Sequence, residues 1–232
     1  MRTSPRALLN EELAKVADPS RAPDMQAYMK SRMPYLGVTA VPFRAACKRA
    51  FAKLELPDAE TWQRTVLDIW RKARFREERY GAIELCADRR ARAFQTMDAL
   101  PMYEEMIVTG AWWDTVDTLA THRLGDLLRS APRVMTKKML AWSRDQNMWK
   151  RRSAILCQIG FKRDTDLELL YGCIKPSLAS REFFLRKAIG WALRQYAWTD
   201  PSEVKRFVRQ HEGALSGLSK REALKNVLKS KV

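Results

Sequence analysis

The sequence predicts an all-α chain, and three observations carry that prediction. Leu, Ala, Arg, Lys and Glu dominate the composition while glycine is scarce, at nine residues. No stretch alternates apolar and polar residues as a half-buried strand does. The ten prolines fall mostly between segments whose apolar residues recur every three or four positions. These segments number about thirteen and pair off at roughly 35–40 residues, the period of a HEAT-like helical repeat. The expected architecture is one domain over residues 1–232. It is a HEAT-like helical-repeat solenoid of about six antiparallel helix pairs with a concave basic face.

The elements follow in order from local signals. Residues 5–17 read as an amphipathic helix ended by Asp18-Pro19. Asp24 is the expected N-cap of MQAYMKSRM, and Pro34 and Gly37 mark a loop. VPFRAACKRAFAKL carries Pro42 in its first turn, where a missing N–H costs nothing. Pro57-Asp58 opens AETWQRTVLDIWRKA, in which Trp62, Val66 and Trp70 recur at i, i+4 and i+8 as a core ridge. Further helices are expected over residues 75–91 and 99–109, then in GAWWDTVDTLATHRLGDLL, APRVMTKKMLAWS and DQNMWKRRSAILCQIGF, the last capped by Asp145. Asp164 is expected to cap DTDLELLYGCI, Ser180 to open REFFLRKAIGWALRQYAW and Asp200-Pro201 to open SEVKRFVRQH. Ser219 and Glu222 stand at capping-box spacing before KREALKNVL.

Charge narrows the partner. With 43 Lys+Arg against 27 Asp+Glu the net charge is +16, an excess that suits a polyanion, nucleic acid or an anionic membrane surface. No apolar run is long enough to span a bilayer. MRTSPRALLNEELAKV lacks the apolar centre of a signal peptide, so a cytoplasmic protein is expected. Cys47, Cys86, Cys157 and Cys173 are far apart among apolar neighbours and read as small core residues. With only His122 and His211 besides them, neither a metal site nor a cofactor is expected.

One stretch stands out chemically. In Gly110–Leu128, Trp113 and Asp117 are four residues apart and share a helix face. Asp is a poor mid-helix residue, and a carboxylate beside an indole suits a cation: the ring attracts it through its quadrupole and the acid by charge. The plainer alternative is that Trp113 packs between helices while Asp117 caps or pairs with an arginine. Trp149, Lys150, Arg151 and Arg152 form a basic-aromatic run, and Lys187, Trp191 and Arg194 recur at i, i+4 and i+7 beside the apolar stripe Phe184, Ala188, Ala192 and Tyr196. Cations interleaved with an indole suit phosphates and sugars, and Lys220 and Arg221 add charge at the start of the last helix.

WWDTVD, MWKRRSAIL, EFFLRKAIGWALRQYA and LSKREALKNVL, together with YMKSRMPYLGV, resemble the DNA alkylation repair glycosylases of the AlkD family over about residues 22–228. The resemblance implies a HEAT-like protein that cradles duplex DNA and excises cationic N3- and N7-alkylated purines without flipping the base. It implies Trp113, Asp117 and Trp191 as the catalytic group, with Arg152, Tyr28, Phe183, Phe184 and Arg194 on the DNA face. Lys187, Lys220 and Arg221 join that face from the pattern above.

The chemistry agrees with those residues. An alkylated purine is already cationic and leaves as a neutral base, so the acid that glycoside cleavage ordinarily needs is dispensable. Asp117 would stabilise the oxocarbenium-like sugar and orient water, two indoles would face the cation, and Arg152 would hold the adjacent phosphate. The expected partner is double-stranded DNA containing alkylated purines, met by a monomer. A non-catalytic DNA-binding scaffold, or a helical repeat that binds an acidic protein, would share the fold and the charge.

Overall fold

The computed structural model describes residues 3–227; Leu228, the last residue of the expected final helix, lies outside them. The described elements are all helical, in the pattern of a helical-repeat solenoid, and the chain divides into two compact units, residues 1–95 and 96–232. No helix among the described residues is long and apolar enough to cross a membrane.

The first unit contains α1 (Pro5–Ala14), α2 (Ala22–Met29), α3 (Ala40–Ala52), α4 (Ala59–Lys72), α5 (Arg76–Leu85) and a 3-10 turn (Arg89–Phe94). α1 packs on α3, α4 and α5, and α4 on α5. Trp62, Val66 and Trp70 form the expected ridge and are at most 1% exposed. The buried Trp62 indole N–H still needs an acceptor, which it finds in the Leu85 carbonyl at 3.2 Å. Residues 36–38 have no helix to satisfy their amides. The buried carboxylate of Glu77 does so instead, accepting from the N–H groups of Leu36, Gly37 and Val38 at 3.0–3.2 Å. Gly37 sits at φ +80°, and a Cβ there would lie 2.0 Å from the Asp18 carbonyl oxygen, so only glycine fits this turn.

The second unit starts with a 3-10 turn (Met97–Ala99), α6 (Leu100–Gly110) and α7 (Trp113–Thr118). A π segment (Leu119–Leu124) runs directly into α8 (Gly125–Ser130). Then come α9 (Pro132–Trp142), α10 (Met148–Leu156), a 3-10 turn (Lys162–Asp164), α11 (Leu167–Ile174), a 3-10 turn (Lys175–Ser177), α12 (Phe183–Tyr196), α13 (Pro201–Gln210) and α14 (Gly217–Leu224). α10, α12 and α14 stack in one layer while α9 and α11 pack in the other, the alternation that defines a solenoid. All four cysteines are free thiols, each at most 1% exposed, as their apolar surroundings predict.

Helix starts are where the sequence expectations shift. Asp58 and Asp200 cap as expected, accepting from the N–H groups of Thr61 and Glu203. Asp24 lies inside the first turn of α2, behind Pro23. Asn147 caps α10 in place of Asp145, whose carboxylate accepts from Asn147 itself. Asp166 caps α11 in place of Asp164. Ser180 accepts from Glu182 in the loop, and α12 begins only at Phe183. The capping box at the last helix is displaced: Ser216 accepts from Ser219, and Glu222 turns to three cations instead. In each case two or three polar residues compete for one cap, and tertiary partners decide between them.

α12 and α14 approach closely because residue 190 lacks a side chain. A Cβ on Gly190 would sit 2.4 Å from the Glu222 Cβ and 3.1 Å from the Ser219 carbonyl oxygen. Gly190→Ala is therefore expected to lower stability by about 1–3 kcal/mol despite alanine's better helix propensity, by overpacking. Thermal unfolding of the two proteins checks this; equal midpoints would mean that α14 moves aside freely.

Candidate active site

The site is built on three neighbouring helices of the second unit. α10 packs against α7 on one side and α12 on the other. α7 supplies Trp113 and Asp117, α10 supplies Arg152, and α12 supplies Phe184 and Trp191. The chain enters α7 through a sharp break. Ala111 takes a left-handed φ of 40° at the end of α6, and Trp112 is fully extended. That break separates the directions of the two adjacent tryptophans. Trp112 packs into a cluster with Trp149 and Phe184, at ring centroid distances of 6.2 and 5.2 Å, while Trp113 begins the new helix.

Asp117 and Arg152 are joined in a two-pronged ion pair. Arg152 Nε donates to Asp117 Oδ1 and Nη2 to Oδ2, both at 2.7 Å. The third arm of the guanidinium, Nη1, donates to the Phe184 carbonyl and so ties α12 to the pair. The Arg152 side chain is 6% exposed and that of Asp117 is 15%. Burial pushes the Asp117 carboxyl above its ordinary value, Arg152 pulls it back, and Asp114 adds a smaller upward push. A carboxylate fixed in this way keeps one orientation and remains partly open to solvent. The guanidinium is thus committed to Asp117 and Phe184 rather than standing free toward solvent.

Trp113 and Trp191 are both half-buried, and neither ring has an aromatic or hydrogen-bonding partner among the described residues. The π segment follows Asp117 directly, and Thr121 Oγ1 donates to the Asp117 carbonyl at 2.8 Å. π turns inside α-helices recur at functional sites.

The remaining expected residues are distributed unequally. Phe183 is 53% exposed beside Phe184, and the Phe184 ring packs tilted against Trp149 at 5.0 Å. Lys187 and Arg194 sit on the exposed side of α12 but pair with Glu222, at 3.2 and 2.5 Å. Lys225 makes the third cation on that carboxylate. Lys220 donates to the Glu212 carbonyl, and Arg221 is exposed on α14. Tyr28 is 78% exposed on α2 and belongs to the first unit. Of the basic run, Lys150 binds Glu104 and Asp145. The Asp117–Arg152 pair spans 35 residues. The sequence offers only the general alternative that Asp117 pairs with an arginine, and Arg152 reads there as a phosphate contact.

Comparison with known proteins follows this geometry. The model of the family described as DNA alkylation repair enzyme matches residues 9–227. Among solved structures, one described as a predicted DNA alkylation repair enzyme from Enterococcus faecalis superposes with a TM-score of 0.80. It is 28% identical to this chain, over 90% of this chain and 95% of its own. No curated protein matches the sequence. With nearly the whole chain covered by the family model, the protein belongs to the DNA alkylation repair enzyme family.

Proposed function

We propose that the protein is a DNA N-glycosylase that hydrolyses the glycosidic bond of cationic N3- and N7-alkylated purines in duplex DNA. The observation that carries this reading is the carboxylate of Asp117, fixed by Arg152 and one helical turn from the half-buried Trp113. The C1′–N bond breaks with its electron pair passing to the cationic base, which leaves neutral. Positive charge then develops on the sugar, where a fixed carboxylate stabilises it electrostatically. Water adds its oxygen to C1′ and loses a proton toward Asp117. Trp113 and Trp191 present indole faces to the cationic nucleotide. Arg152 acts here as a positioning residue, since its contacts are with Asp117 and the Phe184 carbonyl. No base needs protonating; the resemblance to the AlkD family implies further that the base is not flipped, and the protein acts as a monomer.

The test is release of 3-methyladenine or 7-methylguanine from methylated duplex DNA, read by chromatography. Failure to release either base, with duplex binding retained, would make the protein a binding scaffold. A pH profile adds a second check. Asp117 must be ionised to act, and burial raises its pKa. Activity should therefore be full at neutral pH and fall as pH drops through a midpoint above the ordinary aspartate value of about 3.9. An acid limb at or below that value would remove Asp117 as the titrating group.

A further inference from the structure

Outside the candidate site, the end of α12 carries an unexplained surface. Trp198 lies two residues beyond α12, and its side chain is among the most exposed of the large apolar residues, at 62%. It is seven residues after Trp191, which is itself seven after Phe184. A seven-residue spacing keeps the three rings on one helical stripe, with a drift of about 20° per heptad. The αR conformation of Ala197 carries the turn on to Trp198.

Trp198 also borders a cavity of about 490 Å³ lined by Arg129, Gly160, Phe161, Lys162, Arg163, Asp164 and Thr199. Three cations face one carboxylate there, and none of the three forms an ion pair among the described residues. This contrasts with Lys187 and Arg194, whose charge Glu222 neutralises. The Arg129 guanidinium sits over the Phe161 ring, its central carbon 3.6 Å from the centroid, and both residues line the cavity. Lys162 is held at φ 54°, a conformation that lysine seldom adopts.

We infer that Trp198 and the cations Arg129, Lys162 and Arg163 form a second nucleic-acid contact, which grips the strand flanking the lesion. The indole stacks on a sugar or an end-exposed base and the cations neutralise phosphates. Charge complementarity selects this occupant: an exposed indole ringed by unpaired cations offers a polyanion both stacking and neutralisation. The inference rests on the proposed DNA substrate, and it extends the stripe from Phe184 through Trp191 to Trp198.

The experiment is fluorescence anisotropy with a short duplex centred on the lesion and a longer one, across a salt series. Two variants are compared with the wild type: Trp198→Ala, and Lys162→Asn combined with Arg163→Gln. Asparagine is chosen because it tolerates positive φ. On the long duplex, Trp198→Ala should weaken binding about tenfold. The double variant should reduce the slope of log affinity against log salt by about 2. Both should leave the single-turnover excision rate at saturating enzyme unchanged. Affinity and slope equal to wild type in folded variants, checked by circular dichroism, would overturn the inference. Tighter binding of polyglutamate than of DNA through the same residues would also overturn it. A wild type that binds duplex through this surface without excising bases would sink the glycosylase reading and leave this contact standing.

Discussion

Asp117→Asn should abolish most excision, by about 10²–10³-fold or more, while duplex affinity stays within a few-fold of wild type. The side chain keeps its size and loses its charge, so the developing positive sugar meets a dipole where a full charge had been. The same change has a structural cost that must be measured separately. Arg152 is buried and loses its anionic partner, and breaking a buried pair from one side costs about 3–5 kcal/mol at most sites. The partial exposure of Asp117 places the expected loss at the lower end of that range. Excision should therefore be assayed well below the variant's melting temperature, with folded protein confirmed by circular dichroism. Near-normal excision by the folded variant would remove Asp117 from the chemistry and leave a purely structural ion pair.

Glu77→Ala should be strongly destabilising in the first unit. Its carboxylate is the acceptor for three backbone amides, those of Leu36, Gly37 and Val38. Two of these hydrogen bonds are fully buried. At about 1–3 kcal/mol for each orphaned buried donor, the loss is about 4 kcal/mol or more. Chemical denaturation measures it, and limited proteolysis should show cleavage near residues 36–38. Glu77→Gln keeps a carbonyl oxygen where Oε1 stands and should lose much less. Equal losses for the two variants would show that charge, rather than amide satisfaction, is what the loop requires.

The sequence made the helices legible because apolar periodicity is a local property. Trp62, Val66 and Trp70 announce their buried ridge within nine residues. Caps were less legible, since Asp145 and Asn147, or Asp164 and Asp166, are equally good candidates by type. The neighbouring contacts choose between them. The site was legible as residues and not as geometry. Trp113 and Asp117 stand out by spacing, but the capture of Asp117 by Arg152 depends on how α7 and α10 pack. Likewise nothing local reveals that Glu222, three residues before Lys225, also gathers Lys187 and Arg194 from α12. That contact exists because Gly190 lets α14 come close to α12. A formal charge count therefore overstates the positive field available on this side of α12, and Trp198 with its unpaired cations gains relative weight.

The burial of all four thiols has a practical side. A thiolate reacts and a buried thiol does not, and burial pushes Cys47, Cys157 and Cys173 well away from ionisation at neutral pH. The unmodified chain is thus already a silent background for thiol-directed probes. A single cysteine placed at an exposed position such as Val41 or Val134 would carry a spin label or fluorophore at one defined point, with no native cysteine to be removed first.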